Sequence, residues 1–139
     1  TEILNFVVFL LKLSGESFDF QNKSVKKGND VVIISWSYQV ELSRRVAESL
    51  EEEGISAAVL DLRSIVPLDV EALTQIVTHC GRAVVVQEAP ETGGFASEII
   101  ATINDECFWS LEAPVARVSG FDVPYPVGML ENLYDLFLK

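Results

Sequence analysis

The residues able to do chemistry in this chain are few, and they are scattered. There is one histidine, His79, and there are two cysteines, Cys80 and Cys107. No CxxC pair or His/Cys cluster supplies metal-ligand spacing. A nucleophilic role for a thiol or for His79 would need a base or partner that the sequence does not single out. Both cysteines are expected as reduced core residues on apolar helix faces, which implies an intracellular compartment. His79, at a helix end, is expected to meet terminal carbonyls. A better lead is Gly93-Gly94, set between the apolar run Val84-Val-Val and the segment beginning Phe95-Ala-Ser-Glu98. Amides at a helix N-terminus can hold an anion. A phosphate loop, however, follows its last glycine with Lys and Ser or Thr. Here Phe95-Ala96 follows, and Glu88, Glu91 and Glu98 would repel an anion. The pair therefore reads as a close turn, with Phe95 filling core or interface. Arg63, in Asp61-Leu-Arg-Ser-Ile-Val-Pro67, could grip a carboxylate bidentately; the competing reading is an ion pair with Asp61 or another segment that holds the loop. A phosphoacceptor receiver domain would need an acidic cluster after the first strand, where Ser35-Trp36-Ser37 stands instead.

The elements that must position these residues follow a regular rhythm from Asp30 onward. Asp30–Trp36 is a continuous apolar run, as in a strand covered on both faces. Tyr38–Glu53 reads as a helix whose Leu42, Val46 and Leu50 recur every fourth residue, with Glu41–Arg45 and Arg44–Glu48 as i,i+4 opposite-charge pairs; Gly54 ends it. Glu51-Glu52-Glu53 places negative charge at the helix's negative end, which exposure or a basic neighbour must offset. Ile55–Leu62 is a second strand. Pro67 and Asp69 open a second helix with Val70, Leu73 and Val77 on one side, and Gly81 stops it. Arg82–Gln87 is a third strand, and Phe95, Ile99, Ile103 and Cys107 mark a third helix. Pro114–Ser119 is a fourth strand. This β-α-β-α-β-α-β order predicts an α/β fold: three αβα layers around a mainly parallel sheet. Residues 1–29 are expected as an N-terminal extension or connector and residues 30–139 as the domain. Phe121–Gly128, with two prolines, should be extended, and Met129–Leu138 a short helix.

Bulk properties narrow the partners. The chain has 139 residues, enough for one core, and 49% of them are apolar. Its net charge of −11 argues against nucleic acid, where basic side chains supply most of the affinity; it suits a basic protein partner or simple solubility. The apolar run Ile3–Leu13 is about half the roughly 20 residues of a spanning helix, and it lacks the leader and cleavage site of a secretory signal. No membrane role is expected.

Three blocks carry a resemblance. Asp61-Leu-Arg-Ser-Ile-Val-Pro-Leu-Asp69, Gly81-Arg-Ala-Val-Val-Val-Gln-Glu-Ala-Pro-Glu-Thr-Gly-Gly-Phe95 and Leu111-Glu-Ala-Pro-Val-Ala-Arg-Val-Ser-Gly-Phe-Asp-Val-Pro-Tyr-Pro126 resemble the C-terminal domain of the beta subunit of 2-oxo acid dehydrogenase decarboxylase components, a transketolase C-terminal-like fold. Phe95-Ala-Ser-Glu-Ile99 and Asp105-Glu-Cys-Phe108 look most like the branched-chain enzyme, with the pyruvate and acetoin enzymes as alternatives. The resemblance implies an alpha2-beta2 enzyme that uses thiamine diphosphate and Mg in the full assembly and passes its acyl group to the lipoyl group of a dihydrolipoyl acyltransferase. Nothing in residues 1–29 matches the N-terminal domain that carries the cofactor-activating glutamate in that family, and the tail after Gly128 is shorter than the family's. The expectation is an excised domain, or a shortened or decoy paralogue, that binds no cofactor and has no catalysis of its own.

By the same resemblance the domain packs against an alpha subunit and a second beta subunit and helps to dock the acyltransferase. Glu112 matches the position implicated in gripping a basic residue of that partner. The interface candidates are Arg63, Glu88, Gly93, Gly94, Phe95, Glu112 and Asp122. In isolation the chain should form a homodimer through apolar surface its partners would otherwise cover. The location implied is the cytoplasm in a bacterium or the mitochondrial matrix in a eukaryote. A contrasting reading is a free-standing module that binds a small anion with the 35–37, 63 and 93–95 loops.

Overall fold

The apolar runs become a sheet in the computed structural model, which describes residues 21–123. Five strands, β1 (Lys23–Lys26), β2 (Val31–Ser35), β3 (Ala57–Asp61), β4 (Ala83–Pro90) and β5 (Ala116–Gly120), lie in the order β1-β3-β2-β4-β5. All neighbours are parallel except β1, which runs antiparallel to β3. Three helices connect them: α1 (Gln39–Glu52), α2 (Val70–Cys80) and α3 (Ala96–Cys107), the last followed by a 3-10 turn at Phe108–Ser110. The apolar run Ile3–Leu13 and the expected helix Met129–Leu138 lie outside the described residues, as does most of the expected extended segment 121–128.

Alternation along each strand sends successive side chains to opposite faces. Val32, Ile34, Leu60 and Val85 pack with Leu73 and Val77 of α2 and Ile99 and Ile103 of α3. Ile33, Ala57 and Val59 face the other way and pack with Ala47 of α1. The helix starts and stops follow the expected chemistry. Asp69 caps α2 by accepting a hydrogen bond from the Ala72 amide at 3.0 Å, and Gly81 closes it in the left-handed conformation at φ 70°.

Three expectations need correction. Part of the polar segment read as a connector is strand β1, held at the edge by its pairing with β3 and by Lys26 reaching Glu51 at 3.1 Å. That contact also supplies the basic neighbour that the acidic end of α1 needed. Secondly, Leu42 and Val46 are not core residues: they are 43% and 47% exposed, while Gln39, Ser43 and Ala47 are buried. The helix approaches the sheet through Ala47, its smallest side chain, which turns the larger apolar residues toward β4 and β5, where no described element covers them. Thirdly, His79 pairs through Nε2 with Asn29 Oδ1 at 2.9 Å rather than with helix-terminal carbonyls.

Candidate functional site

In a parallel sheet the strand ends, rather than the strand bodies, present loops to other molecules. The turn after β4 is built around Gln87, a buried amide inside an otherwise apolar run. Its Oε1 accepts from the Ala96 amide at 2.8 Å and its Nε2 donates to the Pro90 carbonyl at 3.0 Å. Gly94 lies so close that an added Cβ would fall 2.0 Å from Gln87 Nε2 and 2.6 Å from the Pro90 oxygen. Gly93 has φ 74°, a conformation glycine adopts without the cost other residues carry. Phe95 stacks edge-on against Trp36, with ring centroids 6.3 Å apart.

Two further contacts hold this loop rigid. Asp122 accepts from the Thr92 amide at 2.8 Å and from its hydroxyl at 2.6 Å. Arg117 reaches the Glu91 carboxylate at 3.0 Å and the Ser97 hydroxyl at 2.8 Å. Beside the loop, a shallow depression of about 660 Å³ opens between Ile65, Val66, Leu68 and Phe95. Arg63 is exposed just beyond β3, on this same edge. Asp61, at the end of β3, has its carboxyl pushed above the usual range by burial, against the pull of Arg63 and Lys23.

The seven candidate residues do not form one site. Arg63, Glu88, Gly93, Gly94, Phe95 and Asp122 gather toward the C-terminal edge of the sheet. Glu112 sits at the opposite edge, before β5, where its amide bonds the Gly81 carbonyl at 2.8 Å and its carboxylate pairs with Arg82 at 2.6 Å. Next to it, Trp109 is 94% exposed and packs edge-on against Phe108. Gln87, Thr92, Arg82 and Arg117 were missed as site residues. A lone glutamine inside an apolar strand was a legible signal for the first; the other three depend on which loops meet.

The geometry of the glycine turn speaks against a phosphate group. The amides that would cradle one are engaged: Thr92 with Asp122, Ala96 with Gln87, Ser97 with the Gly94 carbonyl at 3.1 Å and Glu98 with the Phe95 carbonyl at 3.0 Å. Glu91 and Glu98 add negative charge there. Among the described residues no group of three or more His, Cys, Asp or Glu side chains could hold a metal ion. The described residues therefore do not fit a diphosphate with its magnesium. Cys80 and Cys107 are buried free thiols, and burial pushes the Cys80 thiol up, away from the reactive thiolate. No helix among the described residues is long and apolar enough to cross a membrane. What the arrangement offers is rigid, polar-rimmed surface at both ends of the sheet.

Comparison with known proteins places this surface in context. The family model for the transketolase C-terminal domain matches residues 21–138. The chain is 44% identical over 113 residues to the pyruvate dehydrogenase E1 component subunit beta of Leifsonia xyli subsp. xyli (strain CTCB07), covering 81% of this chain and 34% of that protein. It is 46% identical over 111 residues to the mitochondrial 2-oxoisovalerate dehydrogenase subunit beta of Dictyostelium discoideum, covering 79% and 30%. The chain thus spans about a third of the length of these curated relatives. Among solved structures, a split gene transketolase described as an inactive beta4 tetramer superposes with a TM-score of 0.74 at 27% identity, over 88% of this chain and 39% of that one.

Proposed function

We infer the function from one premise: the chain belongs to the transketolase C-terminal domain family. On that premise we propose that it is the C-terminal assembly domain of the beta subunit of a 2-oxo acid dehydrogenase decarboxylase component. The substrate of the whole enzyme is a branched-chain 2-oxo acid, with pyruvate as the alternative. The observation that carries this reading is the identity of 44% and 46% to two such beta subunits across nearly the whole described domain. Thiamine diphosphate and magnesium belong, in this reading, to the rest of the assembly. The engaged amides around Gly93 and Gly94 support that assignment, because they leave no cradle for the diphosphate.

The work of this chain is then contact. Its candidates divide between two edges, which suits two kinds of partner. The loop edge, with Arg63, Glu88, Phe95 and Asp122, is assigned to the alpha subunit and a second beta subunit. Locked by the Asp122–Thr92 and Arg117–Glu91 contacts, it would lose little conformational entropy on association. The opposite edge, with Glu112 and Trp109, is assigned to the dihydrolipoyl acyltransferase. A carboxylate beside an exposed indole suits a basic side chain that combines an ion pair with cation–π contact. Arg82 holds Glu112 meanwhile and would share it with the incoming charge.

Calorimetry tests both halves. Titration with the acyltransferase's subunit-binding domain should give saturable binding, weakened about tenfold by Glu112→Gln. Thiamine diphosphate with Mg²⁺, phosphate, pyruvate and 2-oxoisovalerate should give no saturable heat. Saturable binding of any of these small anions to the chain would favour the contrasting reading, a free-standing module using the 35–37, 63 and 93–95 loops.

A further inference from the structure

The two faces of the sheet are covered unequally. On one, α2 and α3 lie side by side and bury Leu73, Val77, Ile99 and Ile103 completely. On the other, α1 alone lies over β2 and β3. Val84, Val86 and Val118 of β4 and β5, with Leu42 and Val46 of α1, therefore wall an apolar groove of about 260 Å³. Val86 and Val118 stand opposite one another in the strand register, so the groove runs along the strands. Val118 is 40% exposed, close to Leu42 and Val46 in this respect. A contiguous apolar trough of this kind marks a place where something docks.

We propose that residues 129–138 of the same chain cover this groove, as an amphipathic helix laid beside α1 and antiparallel to β4 and β5. The sequence has the required stripe: Leu130, Leu133, Tyr134, Phe137 and Leu138 recur at i, i+3, i+4, i+7 and i+8, with Glu131, Asn132 and Asp135 on the other side. A ten-residue helix is about 15 Å long, and a five-residue strand such as β5 is about 17 Å, so the cover matches what it must hide. Position agrees as well. β5 ends at Gly120 at the border of the bare region, and the clamp of Asp122 on Thr92 fixes where the chain leaves it. Residues 121–128 then span up to about 26 Å when extended, more than enough to turn back over the sheet. The family match continues to residue 138, so this stretch is part of the domain rather than an appendage. Finally, the groove walls are apolar, which disfavours a charged occupant and suits leucine and phenylalanine.

The test uses the full 139-residue chain carrying a nitroxide at Asp135→Cys, a position on the polar side of the stripe. Cys80 and Cys107 are buried, so native labelling is directed to the new thiol. Isotope-enriched labelled chain is diluted into excess natural-abundance chain and its methyl resonances are followed. Leu42, Val46, Val84 and Val118 should lose most of their intensity, and Ile103 on the far face should lose little. Loss seen only when natural-abundance labelled chain is mixed with enriched unlabelled chain would assign the groove to a second copy. Loss in neither mixture would leave it to another protein, and either result overturns the proposal. Leu133→Asp gives a second reading without a label. It should raise the fluorescence of an apolar-surface dye severalfold, and unchanged fluorescence would also overturn the proposal.

Discussion

The face under α2 and α3 and the face under α1 were built from similar sequence patterns, yet they pack differently. Each helix shows an apolar residue every fourth position. In α3 that stripe is the buried one: Ile99, Ile103 and Cys107 are covered by the sheet and by α2. In α1 the stripe of Leu42 and Val46 stands at the rim, and the residues against the sheet are Gln39, Ser43 and Ala47. The difference comes from the neighbours. Two adjacent helices cover one another's flanks, so the widest apolar arc turns inward. A solitary helix seats its smallest residue on the sheet and leaves its large residues to reach sideways for whatever covers the remaining strands.

Substitutions can break or sharpen this contrast. The largest effect is expected from Ile103→Ala, which empties a fully buried site between sheet and helices; it should cost about 2–5 kcal/mol in denaturant unfolding. A cost well under that would mean that the doubly covered face is looser than its burial indicates. Ala47→Leu should cost about 1–3 kcal/mol, because α1 sits on the sheet at that side chain and extra methylenes have no space. A neutral result would show that α1 can slide, and the faces would then differ in rigidity rather than in spacing.

The smallest effect reads the edge of the sheet and should not distinguish the faces. Burial raises the Asp61 carboxyl above its ordinary 3.8, so the folded chain binds more protons than the unfolded one just above that pH. Stability should therefore fall as pH rises from 3.8 through the raised value. Asp61→Asn should flatten that fall in urea midpoints measured between pH 3.5 and pH 7. A variant that keeps the full slope would assign it to another group.

Much of the fold was legible because its signals are local. Continuous valine and isoleucine runs located β2, β3 and β4 within a few residues, and Asp69 and Gly81 bounded α2 through cap chemistry. β1 was not legible, because Lys23-Ser-Val-Lys26 is a polar edge strand that exists only through its partner β3. The candidate site was legible in part. Gly93-Gly94-Phe95 was correctly read as a close turn, since the residue types after the glycines argued against phosphate. The separation of Glu112 from the other candidates was not readable, because sequence distance does not reveal which edge of a parallel sheet a loop occupies.

By itself the sequence determined the order of strands and helices and the residues able to form a core, because hydrophobic periodicity and caps act within a few residues of chain. It also carried the family in three contiguous blocks. Only the tertiary structure decided which of two apolar stripes is buried, which amides are spent on Gln87 and Asp122, and which charges meet. Those outcomes depend on side chains up to 50 positions apart, such as Asn29 and His79, which topology alone brings within hydrogen-bond reach.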